Sequence, residues 1–398
     1  MSSQWVVTFA FLALAAEAPS CQAAFEVAAV VQDDRGLAGA HDIEIHDGLG
    51  YVAGKGGALA ILDLKQPAQP RMLWSTIDPA TYEDAETVLP LGGNRLLVGT
   101  RDLLLFNVAD AAKPGLLASL KDRPRIDRIN GLVRAGKMVY GVNKQGYVVA
   151  LELVGQNSLR LHGVREARRL DGLQSPHDIA LLDGLLVIVD ASSFGRQDRP
   201  GRLAVYRVND TVTGQPLPPE QWTMLGKLEH QSLAGANRVM ARGQFAYVGS
   251  CVSPEARRES GLGGNVVVVD VQDAASPRLR GAVPFPDARG PNGLELSGNV
   301  VFAAGGQTIQ AVDVSDPERP RELANLRLPE VFTGGDDDAH DLVYHDGHLF
   351  VTAQTTHAVV ILRVVSKRIR QLADLEAVNR EKSVEKRRRH PQSDGAER

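Results

Sequence analysis

Short runs of alternating or wholly apolar residues recur along the whole chain, each broken by a Gly-containing or Pro-closed turn, with no long stretch of helical period. In His41-Asp-Ile-Glu-Ile-His-Asp-Gly-Leu-Gly-Tyr-Val52 the alternation predicts a strand over 42–45, an Asp-Gly hairpin and a second strand over 50–54. Further strands follow over 59–64 and 71–77. His340-Asp-Leu-Val-Tyr-His-Asp-Gly-His-Leu-Phe-Val351 repeats the first pattern nearly position for position. A third strand ending in an acidic or amide residue, with proline seven positions later, also recurs: Asp63 to Pro70, Asn107 to Pro114, Asp270 to Pro277 and Asp313 to Pro320. Aligning every copy on its second strand marks seven equivalent residues, His41, Glu86, Asn130, His177, Asn237, Asn292 and His340, spaced 44 to 60 apart.

Self-similarity at this period predicts a propeller. The fold class is therefore all-β: a seven-bladed β-propeller of four-stranded antiparallel blades, spanning 25–366. The seventh unit lacks its last strand, whereas 25–31 is an orphan strand ahead of the first unit. Pairing 25–31 with 357–363 closes the ring and removes an open edge.

Val266-Val-Val-Val-Asp270 and Asp313-Val-Ser-Asp-Pro317 resemble the LVIVD-repeat proteins, bacterial and archaeal exported β-propellers. The resemblance covers nearly all of Phe25 to Ser366. It implies the repeat and the fold, and little about chemistry, because unrelated functions share one fold.

In such a ring the b–c and d–a connections share one face, the top, while the a–b and c–d turns share the other. The c–d turns are expected to be short and Pro-closed. Length concentrates in b–c loops 190–202 and 250–265 and in the d–a loop Gly334-Gly-Asp-Asp-Asp-Ala-His340. Since loops on a rigid scaffold carry binding residues, the top face and channel mouth are the expected site. Asn130, Asn237, Arg238, Asn292, Asp336 and Asp337 form the candidate binding set.

His41, Glu86, His177 and His340 supply the ligand types of a divalent transition metal, which could activate water or oxygen in a metal-dependent enzyme, an oxidoreductase among others. The competing and stronger reading is structural: His41-Asp42, His177-Asp178 and His340-Asp341 hydrogen-bond neighbouring blades, as buried polar groups must find partners. No cofactor follows from the ring alone. Asp336, Asp337 and Asp338 could hold calcium, although a solvated acidic loop fits their spacing better. Arg196, Arg199, Arg202, Arg257 and Arg258 could draw an anion, with exposed mobile arginines the preferred alternative.

Composition narrows the partners. A net charge of -4 leaves no basic face for nucleic acid. Residues 1–23 hold an apolar stretch, Trp5 to Ala16, followed by small residues. They read as an export signal cut after Ala23, with an uncleaved anchor or lipidation of Cys21 as alternatives. The mature chain is then secreted, periplasmic or on the cell surface, without a membrane span, as a monomer whose partner is a small molecule, a glycan or an envelope protein. With only two cysteines, no disulfide framework supports the fold. The tail 367–398 carries ten basic and six acidic residues and a short helix over 368–378, its remainder solvated or touching an anionic surface. No nucleophile elbow or phosphate loop is present. The leading expectation is a non-enzymatic binding scaffold.

Overall fold

The computed structural model describes residues 24–194, 199–253, 263–287 and 289–375. It contains seven four-stranded antiparallel sheets. Their innermost strands are Ala40–His46, Thr87–Gly92, Ile129–Ala135, Pro176–Leu182, Ala236–Arg242, Gly293–Ser297 and Ala339–His345, belonging to blades 1 to 7 in order. Each touches the innermost strand of the next blade, and Ala339–His345 touches Ala40–His46, so the ring closes.

The hairpin residues explain the a–b turns. Asp47 and Gly48, Asp183 and Gly184, and Asp346 and Gly347 all take positive φ, the geometry that matches the twist of flanking strands. On the same face, the acidic or amide residue ending strand c caps its own turn. Asp63, Asn107, Asp270 and Asp313 each accept the backbone N–H two residues on. Arg71, Arg280 and Arg321 of the d strands then pair with three of those carboxylates.

Not every c–d connection is short. Blade 4 runs 15 residues from Val208 to Trp222, held by an isolated bridge between Asn209 and Pro216 and by Trp222 Nε1 donating to Leu217 O at 2.9 Å. The underside therefore has irregular length of its own, so loop length alone does not single out the top face.

Strands b and c are apolar on both faces because each blade is sandwiched between two others. Asn265–Asp270 is buried at every position but its first. Seven apolar clusters result, one at each blade interface; Leu62, Val359 and Ile361 hold blades 1 and 7 together. Closure occurs as the orphan strand requires: Phe25–Gln32 pairs antiparallel with Ala358–Val364, Phe25 opposite Val364 and Gln32 opposite Ala358.

The C-terminal helix, Lys367–Ala373, starts at Ser366, whose side chain caps the Ile369 N–H. It is not a solvated tail. Ile369 and Ala373 are buried among residues of blades 6 and 7, and Asn299 N donates to Leu372 O at 2.9 Å. Tyr344 Oη donates to Asp374 at 2.8 Å. Gly298 lies so close to Leu372 O that a Cβ would collide at 2.1 Å. The basic run Lys386 to His390 and the export segment lie outside the described residues.

Deleting Phe25–Val31 strips the partner from strand Ala358–Val364. The thermal midpoint should fall by roughly 10 °C or more and unfolding should lose cooperativity. Calorimetry checks this, and an unchanged transition contradicts the closure. Ile369→Ala should cost about 2–3 kcal/mol in urea unfolding, the loss typical of a buried Ile truncation.

Candidate functional site

The seven equivalent residues meet at the top of the inner strands, and five of the blades carry a backbone irregularity there. The a–b register shifts between Ala40 and Asp42, Ile129 and Gly131, Pro176 and Asp178, Ala236 and Arg238, and Ala339 and Leu342. A bulge leaves its extra residue out of the ladder and re-aims it. Carbonyls at this level receive the histidines, those of His41 and Asn237 lying at bulges and that of Glu86 just ahead of its strand. His41 Nδ1 donates to Glu86 O at 2.9 Å, His177 Nδ1 to Asn237 O at 2.9 Å and His340 Nδ1 to His41 O at 3.2 Å. Each following aspartate completes a second rung. Asp42 accepts Val88 N–H at 2.7 Å, Asp178 accepts Val239 N–H at 2.9 Å and Asp341 accepts Ile43 N–H at 3.4 Å. The His-Asp dipeptide is thus a stitch from one blade to the next.

Because a carbonyl can only accept, each imidazole carries its proton on Nδ1 and leaves a lone pair on Nε2. Burial holds all three well below the usual histidine range, helped by His340 at His41, by Lys144 at His177 and by Lys55 at His340. The His41 and His340 rings lie 3.8 Å apart between centroids.

Among the described residues no group of three or more His, Cys, Asp or Glu side chains is placed to hold a metal ion. The reason is visible at Glu86. Its carboxylate accepts from Lys144 Nζ at 2.8 Å and from Asn130 Nδ2, with Lys55 Nζ at 4.0 Å. The acidic loop is also divided among separate tasks. Asp338 is fully buried and accepts the N–H groups of Gly334, Thr355 and Thr356. Asp337 pairs with Arg289 at 2.6 Å and accepts from Asn292 at 3.2 Å, while Asp336 is exposed. These three carboxylates do not converge on one point, and the loop is not simply solvated as expected, since Asp338 is buried and pins it. Arg202 bonds Glu229 at 3.0 Å and faces Asp190 at 3.4 Å within blade 4, and Arg199 is exposed. Arg196, Arg257 and Arg258 lie outside the described residues.

Arg238 holds the centre. One residue after the registered position, blades 1, 4 and 7 carry Asp42, Asp178 and Asp341, whereas blade 5 carries Arg238. Its Nε donates to Asn292 O at 3.0 Å, and Nη2 reaches both Asp42 and Asp341 at 3.7 Å. Burial opposes this charge, but Asp341, Asp42, Asp178 and Glu86 outweigh it and keep the guanidinium protonated. Burial, then Asp341, pushes Asp42 well up, and burial raises Asp341 as well. Burial raises Asp178 to about 6.

Two residues beyond Asp42 on the same face stands Glu44, and Glu295 is its equivalent in blade 6. Glu44 is partly accessible and stands beside Asp42, Asp178 and Arg238. Burial, then Asp42, raises it to about 8; burial, then Glu44, raises Glu295 well above the usual carboxyl range.

The residues missed from sequence are Lys55, Lys144 and Arg289. The two lysines sit in the b–c turns of blades 1 and 3, each directly after strand b and fourteen residues beyond His41 and Asn130, so their shared register was a readable sign; Arg289 lies in the d–a loop before blade 6.

A model of the LVIVD repeat matches residues 39–76, the four strands of blade 1. Blade 1 carries an LVIVD repeat, and with seven blades in a ring the chain fits an LVIVD-repeat propeller family. No curated protein matches this LVIVD-repeat chain. The crystal structure of Saccharomyces cerevisiae Sqt1 is similar, with a TM-score of 0.53 at 12% identity, over 84% of this chain and 98% of that one. At that identity the likeness concerns the fold alone.

Two measurements test the LVIVD-propeller axis. Arg238→Met strands buried carboxylates and should cost about 3–5 kcal/mol, and adding Asp42→Asn and Asp341→Asn should recover much of it. The pH dependence has a defined sign. A raised carboxyl pKa means the folded state holds protons the unfolded state has released, so stability falls as pH rises toward the folded pKa. The lowered histidines act oppositely, but only below about 6.5. Between about pH 6.5 and 8 the raised carboxyls Glu44, Glu295 and Asp42 act without that opposition, and the thermal midpoint should decline there. Glu44→Gln should make that decline shallower; an identical slope in the variant contradicts the assignment.

Proposed function

We propose that this LVIVD-repeat propeller is a non-enzymatic binding scaffold working outside the cytoplasm, with its ligand seat at the channel mouth on the top face. One observation carries the reading. Buried polar atoms without a hydrogen-bond partner gather at this mouth: His41 Nε2, Asn130 Oδ1 and Asn237 Oδ1, with Gln145 Oε1 and Gln354 Oε1 on the b–c turns above. Buried polar groups are satisfied as a rule, so such a cluster marks where a polar molecule sits.

Scaffold in preference to enzyme is supported by how the titratable groups are used. Every imidazole is tied through Nδ1 to a carbonyl, and the one carboxylate at the mouth, Glu86, is neutralised by Lys144. The apolar stretch Trp5 to Ala16 supports export. Among the described residues no helix is long and apolar enough to cross a membrane.

A ligand that binds only the folded state raises the thermal midpoint. Thermal shift against neutral sugars, amines, carboxylates and short peptides should find at least one class that stabilises the protein saturably. Asn237→Ala should abolish that gain without altering the unliganded midpoint by more than about 2 °C. A flat response to every class, or a gain that survives in Asn237→Ala, overturns the proposal.

A further inference from the structure

The buried side-chain atoms left at the mouth with neither a hydrogen bond nor an ion pair are all acceptors, and the bonds around them show why. Asn130 Nδ2 donates to the Glu86 carboxylate. Asn237 Nδ2 donates to Asn292 Oδ1 at 3.4 Å, and Asn292 Nδ2 in turn donates to Asp337 at 3.2 Å. Gln145 Nε2 donates to Asp127 at 3.4 Å. A carboxylate only accepts, so each of these chains fixes which end of the amide turns toward it and leaves the amide oxygen free. His41 follows the same rule, its Nδ1 proton on Glu86 O and its Nε2 lone pair unmatched. His41 and Asn130 are each only 1% exposed.

A ligand for this set has to donate at several points without bringing lone pairs of its own. A hydroxyl sets its lone pairs against the acceptors once its single proton is placed, and a carboxylate has nothing to donate. A primary ammonium has three N–H donors and no acceptor. The placement agrees. His41, Asn130 and Asn237 stand on blades 1, 3 and 5, alternate blades that surround the axis instead of lining one wall. An ammonium entering along the axis spreads its three N–H bonds in the same way.

The basic side chains nearby do not bar a cation, because each already faces a carboxylate. Lys144 and Lys55 flank Glu86 at 2.8 and 4.0 Å, Arg238 lies 3.7 Å from both Asp42 and Asp341, and Arg289 pairs with Asp337 at 2.6 Å. Asp178, next to the registered His177, accepts the N–H groups of Val239 and Ile179 and forms no ion pair among the described residues.

We infer that the channel mouth binds a primary ammonium group, held by His41 Nε2, Asn130 Oδ1 and Asn237 Oδ1. This rests on the channel mouth being a ligand seat, and it names the ligand class. Isothermal titration of the full folded protein with butylammonium and putrescine tests it. The controls are butyltrimethylammonium, which has the charge without an N–H donor, and 1-butanol, which has neither the charge nor the three donors. At least one of the two primary amines should bind, roughly tenfold or more tighter than either control. Asn130→Ala and Asn237→Ala should each weaken that binding roughly tenfold, with cooperative unfolding retained. Should a variant fail to fold, butylammonium against butyltrimethylammonium on the unaltered protein decides the matter. Equal binding of either control, full affinity in either variant, or no binding by both primary amines overturns the inference. A sugar, carboxylate or peptide that raises the thermal midpoint where amines do not also overturns it while leaving a ligand seat at the mouth; only a flat thermal-shift response across every class removes the seat itself.

Discussion

Three aspartates and two glutamates crowd the axis of this ring, and one arginine makes that arrangement tolerable. Carboxylates so close together cannot all ionise away from bulk water. The protein meets this in two ways: Arg238 lies against Asp42 and Asp341, and the remaining carboxyls keep protons well above their usual range. Because Arg238 comes from blade 5 and its partners from blades 1 and 7, this ion cluster also ties together sheets that share no strand.

The His-Asp dipeptides show how a repeat becomes a ring. A carbonyl at the top of the next blade, freed by a bulge in blades 1 and 5, takes the imidazole N–H, and the aspartate takes an N–H two residues further on. The ladder works only where the neighbour supplies a matching backbone geometry. Blades 2, 3, 5 and 6 place Glu86, Asn130, Asn237 and Asn292 at the same height and thereby give the mouth its asymmetric chemistry.

The architecture was largely legible because it is written in period and turn chemistry: Asp-Gly hairpins, Asx-capped c–d turns and the orphan strand over 25–31 each leave a local signature. The roles of the site residues were less so. Nothing in the sequence shows that a bulge sits at His41 or that Lys144 reaches back to Glu86, since both depend on how blades pack. The exchange of Asp for Arg at one registered position was a readable sign, and aligning the residue after each registered one exposes it. The 15-residue c–d connection of blade 4 escaped because it interrupts a pattern that other units keep.

The residues on either side of the ring's seam, Ala24 and Val365, meet at one spot. Ala24 O receives the N–H groups of Val365 and Ser366, and the terminal helix lies over the a–b hairpins of blades 6 and 7. The closing strand and the terminal helix are therefore joined on the underside, opposite the mouth, so the seam that shuts the ring is kept apart from the face that carries the polar ring.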